Sequence, residues 1–382
     1  MYSQRLENLP PYLFARIDAM KAQKRKEGVD IIDLGVGDPD LPTPAHIVEA
    51  MVRAVREPKN HHYPAYEGMA AYRQAVAEWY GKRFSVSLDP DSEVLALMGS
   101  KDGIAHIPEA FVNPGDYVLV PDPGYPVYKT STLFAEGKTH LMPLTAENNF
   151  LPVLDDIPKD VLKKAKLFFF NYPNNPTAAV APKAFFEEVV DFARDNDLVV
   201  VHDNAYSEIT FDGYRAPSFL ETDGAKEVGV EMHSLSKTYN MTGWRIGMAV
   251  GNPEILSGLG RVKSNVDSGV FDAVQEAAVA ALTGPQQCVA DACTVYQERR
   301  DVLVRGLREL GFDVRAPKAT FYVWMPVDDC MKTAAQFLDR AGIVVTPGVG
   351  FGESGAGYVR FAITRSVERI EEALDRIRRI MP

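Results

Sequence analysis

Short apolar runs recur along the chain from about residue 94. Runs without polar alternation are typical of strands buried on both faces of a sheet. We predict six such strands: Val94–Met98, Tyr117–Pro121, Lys166–Phe170, Leu198–His202, Val228–His233 and Ile246–Val250. Helical periodicity lies between several of them, most clearly over Lys183–Asn196. This alternation predicts an α/β fold with a mostly parallel sheet covered by helices.

The pattern changes after Gly284-Pro285. A long helix is predicted at Gln286–Leu310, and a last helix at Ser366–Ile380 with Ser366 as its N-cap. Four strands are predicted between them: Phe312–Arg315, Thr320–Met325, Gly342–Val345 and Tyr358–Ile363. We therefore expect an N-terminal arm with part of a small domain (1–45), a large domain (46–284) and a small α+β domain (285–382). The arm either docks on a partner subunit or covers its own chain.

Composition and charge exclude several classes of protein. A chain of 382 residues is too long for one ordinary core. The net charge of −11 disfavours a nucleic-acid partner. The three cysteines form no CxxC pair, and the N-terminus lacks the apolar core of a signal peptide, so we expect a reducing, cytoplasmic location. No apolar run is long enough for a membrane span, and no spacing suggests a metal.

One segment, Ser234–Arg245, places a lysine among hydroxyl side chains, with an arginine eight residues further on. A lysine amine becomes chemically useful when an aldehyde cofactor captures it as a Schiff base. Pyridoxal phosphate is such an aldehyde, and Ser234, Ser236 and Arg245 are suitable donors for its phosphate. The alternative is a solvated surface lysine, Lys237, with no chemical role.

Two further motifs follow predicted strands. Gly99–Gly103 joins a strand to a helix, where Ser100, Lys101 and the helix N-terminus favour an anion, although such junctions are common. Asp203 follows an apolar strand, at the position where ligands bind in open α/β sheets. A carboxylate there suits a protonated pyridine nitrogen, with Tyr206 near the ring oxygen. The alternative for Asp203 is a simple cap of the next turn.

Three other residues suit recognition of a flat ring and a carboxylate. Asn175 lies in a turn after a predicted strand, and Tyr125 follows another strand, where it is placed to stack on a ring. Arg360 lies inside an apolar strand, which favours burial with a partner over a surface ion pair. A guanidinium gives two parallel bonds to a carboxylate.

The ordered motifs GSKDGI, DPGYPVY, NYPNNPT, HDNAYSE and SLSKTYNMTGWRIG resemble the class I/II aminotransferases of pyridoxal-enzyme fold type I. The resemblance runs from LGVGDPD to YVRFA, over essentially the whole chain. Among members, the bacterial LL-diaminopimelate aminotransferases of lysine biosynthesis are most similar. The resemblance implies a seven-stranded large domain and pyridoxal 5′-phosphate as cofactor. It also implies a homodimer with shared sites that moves an amino group from LL-2,6-diaminopimelate to 2-oxoglutarate.

The resemblance also implies a role for each matching residue. Lys237 binds the cofactor and moves the proton, and Asp203 pairs with the ring nitrogen. The remaining cofactor contacts are Tyr206 and Asn175 on the ring oxygen, Tyr125 on the ring face, Ser100, Lys101, Ser234, Ser236 and Arg245 on the phosphate, and Tyr63 on the neighbouring subunit's phosphate. The substrate contacts are Arg360 on the α-carboxylate, assisted by Asn175 and the backbone of Gly37, with Tyr12, Lys101 and Tyr125.

Substrate choice stays open at this point. The alternatives are an alanine, aspartate or other amino-acid aminotransferase, a pyridoxal-dependent C–S β-lyase, or a regulator with little turnover. In this family the segment 265–275 approaches the distal end of the partner's substrate, and here it contains no arginine, which disfavours dedicated aspartate use. Asn265 and Ser268 suggest polar recognition instead. Ala178 stands where the family usually has glycine, and His202 and His233 are expected to pack near the site.

Overall fold

The computed structural model describes residues 1–9 and 13–381, so Tyr12 lies outside the described residues. The strands are β1 Ile32–Asp33, β2 Val94–Leu97, β3 Tyr117–Asp122, β4 Lys138–Pro143, β5 Ala165–Phe170, β6 Val199–Asp203, β7 Gly229–Ser234, β8 Gly247–Gly251, β9 Tyr322–Pro326, β10 Ile343–Val344, β11 Thr346–Pro347 and β12 Tyr358–Ala362. The α-helices are α1 Gln4–Glu7, α2 Leu13–Lys26, α3 Ala45–Ala54, α4 Ala70–Phe84, α5 Ser100–Phe111, α6 Val127–Phe134, α7 Lys159–Leu162, α8 Lys183–Asn196, α9 Ala225–Val228, α10 Leu235–Thr238, α11 Pro253–Val266, α12 Asp272–Thr283, α13 Gln287–Glu309, α14 Cys330–Gln336 and α15 Val367–Ile380.

A seven-stranded sheet forms the centre of the molecule, in the order β2-β8-β7-β6-β5-β3-β4. Within this sheet β8 runs antiparallel to both neighbours, and the other strands run parallel to one another. The predicted α/β class and mostly parallel sheet are confirmed, and each of the six predicted strands is present within one residue at either end. Strand β4 was not predicted, because this edge strand pairs with β3 alone and leaves much of its surface exposed.

Strand β5 shows why the sequences of these strands are unbroken apolar runs. Phe168 and Phe170 pack into a core with α8 on one face of the sheet. Leu167 and Phe169 point to the other face and pack into a second core with α5. Both faces are therefore covered by helices, as parallel sheets require. The carboxyl ends of the parallel strands consequently meet at one edge, where loops carry the candidate site residues.

A third core joins the C-terminal elements to part of the N-terminal segment. Strand β12 pairs antiparallel with β9 and β11, while β1 pairs with β10. The prediction of a strand at Phe312–Arg315 is wrong, because this stretch has no strand partner and only Val314 in it is buried. The predicted strand Gly342–Val345 is confirmed as β10, which begins and ends one residue inside the predicted bounds, and β11 follows it in a different sheet. The domain boundaries at 45 and 284 stay a prediction.

Over 1–9 and 13–381, no helix is both long and apolar enough to cross a membrane. Cys288, Cys293 and Cys330 are free thiols. Asp102, His106 and Asp267 form one group with metal-compatible spacing, but the ammonium of Lys263 pairs with both aspartates. A cation of the chain therefore already neutralises that group.

Candidate active site

A cavity of about 420 Å³ lies between the carboxyl edge of the large sheet and strand β12. It brings together almost every site residue predicted from the sequence: Gly37, Ser100, Lys101, Tyr125, Asn175, Asp203, Tyr206, Ser234, Ser236, Lys237, Arg245 and Arg360. Tyr63 does not line the cavity of its own chain, and its side chain is 89% exposed. Residues from seven separate segments thus converge, because strand ends and β12 face one another across the cleft.

Lys237 enters the cavity from the short helix α10, directly after β7. Its Nζ donates to the carbonyl oxygen of Gly37 at 3.1 Å. Burial lowers the pKa of the Lys237 ammonium to about 8, and the positive charges of Arg360 and Arg245 add to this effect. A neutral amine is therefore accessible near physiological pH, which a nucleophile or proton carrier needs.

Asp203 ends β6 and is buried, with 5% of its surface exposed. Its Oδ2 accepts a hydrogen bond from the hydroxyl of Tyr128 at 2.7 Å, while Oδ1 has no partner in the protein. Burial raises the pKa of this carboxyl to about 6, against the opposing effect of the Tyr128 hydrogen bond. A buried carboxylate oxygen without a donor is costly, so Oδ1 is an acceptor suited to a ligand N–H group.

Arg360 lies on β12 and is buried, as expected from its apolar strand. Its Nη1 donates to Asn175 Oδ1 at 2.6 Å and its Nη2 to the carbonyl of Gly35 at 2.7 Å. The guanidinium carbon lies 4.0 Å from the ring centre of Tyr322 and 4.6 Å from that of Phe351. These contacts fix the plane of the guanidinium without neutralising its charge, and burial lowers its pKa. The charge thus suits an incoming carboxylate.

Polar groups for a phosphate gather where α5 begins. Gly99 has a φ of 80°, and a Cβ at this position would collide with Arg245, so glycine is required here. Arg245 is held by the carbonyl oxygens of Thr242 and Met98. Ser236 Oγ is buried and has no partner in the protein. The free hydroxyl, the arginine and the helix N-terminus together form a cradle for an anion.

Several residues of the site were not found from the sequence. The hydroxyl of Tyr322 lies 3.0 Å from that of Tyr206, and Tyr128 is the donor to Asp203. Tyr128 belongs to the DPGYPVY motif, three residues after Tyr125, so its helical spacing was an available signal. Tyr322 offers no such signal, because its role depends on β9 pairing with β12.

The predicted distal segment lies apart from the cavity of its own chain. Asn265 and Ser268 are exposed, and the Asn265 side chain bonds the carbonyl of Arg261 at 2.8 Å. Ala178, where glycine was expected, has a positive φ of 58°. His202 and His233 are buried, and neither lines the cavity.

The fold and this arrangement of lysine, aspartate and arginine define a pyridoxal enzyme of the aminotransferase type. The chain belongs to the family "aminotransferase class I and II", which matches residues 29–377. Its cofactor is pyridoxal 5′-phosphate, and the sheet is that of fold type I.

Individual proteins are similar to this chain over nearly its whole length. The chain is 57% identical to the LL-diaminopimelate aminotransferase of Moorella thermoacetica, over 99% of this chain and 98% of that protein. It is similar to the substrate-bound structure of BacF from Bacillus subtilis, with a TM-score of 0.95 and 38% identity over 99% and 97% of the two chains. A Thermus thermophilus aspartate aminotransferase mutant gives a TM-score of 0.93 at 30% identity, over all of both chains.

The residues of the cavity fit this cofactor. The open Oδ1 of Asp203 suits a protonated ring nitrogen, and the free hydroxyl of Ser236 suits a phosphate oxygen. The amine of Lys237 faces the same cavity. These two buried groups, which have no protein partner, therefore match the two polar ends of the cofactor.

Proposed function

We propose that this chain is an LL-diaminopimelate aminotransferase that uses 2-oxoglutarate as amino acceptor. The observation that carries the proposal is the meeting of Lys237, Asp203 with its open Oδ1, and Arg360 in one cavity. The choice of substrate is supported by the relative that bears this name at 57% identity over nearly the full length of both chains.

Bound cofactor supplies an electron sink that stabilises negative charge at the substrate Cα. Asp203 holds a proton at the ring nitrogen, where its carboxylate has a free acceptor oxygen. Lys237 holds the cofactor aldehyde and moves the proton at Cα, since its amine loses its own proton readily at a pKa of about 8. Lys237→Ala should therefore lower turnover by several powers of ten.

Recognition of the substrate begins with its α-carboxylate. Arg360 is held flat by Asn175 and Gly35 and supplies the charge, as a bidentate partner. In this proposal Tyr206 and Asn175 contact the cofactor ring oxygen, and Tyr125 covers the ring. Ser100, Lys101, Ser234, Ser236 and Arg245 hold the phosphate in this proposal.

The proposal includes a homodimer with shared sites in the cytoplasm. Its support is a set of exposed large apolar side chains: Tyr63, Tyr66, Val266 and Phe271. Tyr63 completes the partner's phosphate cradle, while Asn265 and Ser268 meet the distal end of the partner's substrate. A mixture of the inactive Lys237→Ala and Tyr63→Ala proteins should regain partial activity, because a hybrid contains one intact site. No recovery after demonstrated subunit exchange would rule out sharing.

The deciding experiment compares amino donors in one assay. Purified enzyme with added cofactor is given LL-diaminopimelate, alanine, aspartate or kynurenine, with 2-oxoglutarate as acceptor. We expect kcat/KM for LL-diaminopimelate to exceed the others by about a hundredfold or more, the range that specific polar contacts provide. Preference for alanine or aspartate would refute the substrate and leave the aminotransferase chemistry intact. Elimination of a thiol from cysteine conjugates, without amino transfer, would favour a β-lyase.

A further inference from the structure

A buried ion pair lies behind Asp203, in the middle of the large sheet. His202 on β6 and Glu231 on β7 are register partners, and both are fully buried. His202 Nδ1 lies 2.9 Å from Glu231 Oε2, and His202 Nε2 lies 2.9 Å from the carbonyl oxygen of Tyr172. Both ring nitrogens of this histidine therefore face acceptors.

The surroundings fix the protonation of this pair. A carbonyl oxygen only accepts, so Nε2 carries a hydrogen. Glu231 accepts at Oε2 from the backbone N–H of Phe219 at 3.1 Å, and at Oε1 from Asn204 Nδ2 at 3.0 Å. Hydrogen bonds from His202 and Asn204 lower the pKa of Glu231 to about 2 against the effect of its burial. The glutamate is ionised, so Nδ1 and Nε2 of His202 both face oxygen atoms that only accept hydrogen bonds.

The pair also sets the direction of Asp203. Side chains alternate between the two faces of a strand. His202 and Asn204 both bond Glu231, on one face. Asp203 between them consequently points to the opposite face, where it lines the cavity.

We infer that His202 is a positioning residue, which acts as a buried imidazolium held by Glu231 to keep the Asp203 carboxylate aimed and ionised toward the cofactor's ring nitrogen. This inference rests on the proposed function only for the identity of that ligand. The orientation and the charge belong to the protein alone.

Other groups near Asp203 and His202 do not replace this charge. Tyr128 on α6 donates a hydrogen bond to Asp203, and Tyr206 faces it from the following turn. On the His202 side, Tyr80 on α4 donates to Glu231, and His233 lies on β7. Burial lowers the pKa of His233, whose Nδ1 has no partner, so this histidine is neutral. Among these described groups, His202 thus supplies the positive charge that Asp203 senses.

The first measurement needs no variant. Nitrogen-15 NMR of the histidine rings in the full-length apoprotein at pH 8 should show His202 with both nitrogens protonated. His233, equally buried in the same sheet, should show the neutral pattern and serves as the internal comparison. A neutral pattern for His202 would overturn the inference whatever the substrate of the enzyme is.

The second measurement follows the protonated-carboxyl infrared band of Asp203, assigned by its loss in Asp203→Asn. In His202→Gln apoprotein the midpoint of this band should move up by about one pH unit, since one nearby charge is lost in a medium of low effective dielectric. His140→Gln, on the edge strand β4, is the control and should leave the midpoint in place. An unchanged midpoint in folded His202→Gln would contradict the inference. If that variant does not fold, the NMR result decides alone. Neither measurement involves an amino donor, so a failed substrate assignment would not be mistaken for a failure here.

Discussion

Replacing Asp203 with asparagine should stabilise the apoprotein while it removes the partner of the ring nitrogen. In the folded apoprotein, Asp203 is a buried carboxyl with one oxygen unpaired, and burial raises its pKa from 3.8 to about 6. A carboxyl whose pKa is raised by folding binds its proton more tightly in the folded state. Its contribution to stability is therefore fully present below pH 3.8, is lost as the pH rises to about 6, and stays lost above that.

The magnitude follows from the same two values. At 1.36 kcal/mol per pKa unit, a rise from 3.8 to about 6 corresponds to about 3 kcal/mol of destabilisation at pH 8. At pH 5 part of the native population is protonated, and the same relation gives roughly half of this amount. Asparagine has no charge to bury and still offers an oxygen to Tyr128. We therefore expect Asp203→Asn to raise the free energy of unfolding by up to about 3 kcal/mol at pH 8 and by less at pH 5.

The assay is urea unfolding of cofactor-free wild-type and variant proteins at pH 5 and pH 8, at equal protein concentration. Glu231→Gln is the matched control, because Glu231 is a buried carboxyl of the same sheet whose pKa is lowered to about 2. Its ionised form stabilises the fold above pH 4.5, so its loss should destabilise the protein at both pH values. If Asp203→Asn were less stable than wild type at pH 8, or if its effect did not grow from pH 5 to pH 8, the reasoning would be refuted.

Three other substitutions test separate contacts. Ala178→Gly should raise the free energy of unfolding by about 0.5–1 kcal/mol, because Ala178 has a φ of 58°, which strains any residue with a Cβ. A lower free energy of unfolding in urea would show that this backbone strain is absent. Lys263→Met should cost about 3–5 kcal/mol in the same assay, because two aspartates lose their buried cation, while the exposed Lys82→Met should have little effect. Tyr128→Phe should raise the pKa of Asp203 further, by about one unit in the infrared titration, because a hydrogen bond to the charged form is lost. An unchanged titration midpoint of this band would show that the hydrogen bond from Tyr128 does not affect the pKa of Asp203.

The sequence predicted the large sheet well because its strands are buried on both faces. Such strands leave unbroken apolar runs, as in β5, whose alternate residues fill two different cores. Edge strand β4 has no such run and was missed. The stretch 312–315 has the local composition of a strand, but no other strand pairs with it. Strand pairing is a tertiary property that local composition does not encode.

Some residues of the site could be predicted from the sequence and others could not. Asp203 and Lys237 follow strands, and parallel strand ends meet at one edge of the sheet. Tyr322 contacts Arg360 because β9 pairs with β12, and Gly35 contacts it because the segment after β1 lies against that small sheet. The role of Tyr63 depends on a second subunit, so neither one chain's sequence nor one chain's fold establishes it.

The charges of the cavity explain why an acidic protein suits anionic ligands. The chain carries a net charge of −11, yet four cations, Lys101, Lys237, Arg245 and Arg360, line the cavity. Burial lowers the pKa of Lys237 and Arg360, so each is kept charged at a cost in folding free energy. Asp203 is kept ionised at a similar cost, with its free oxygen directed at the cavity. These buried charges destabilise the fold when no ligand is bound. A phosphate, a carboxylate and a ring N–H are the groups that would neutralise them. Ligand binding should consequently stabilise the protein most strongly above pH 6, where Asp203 is ionised before binding.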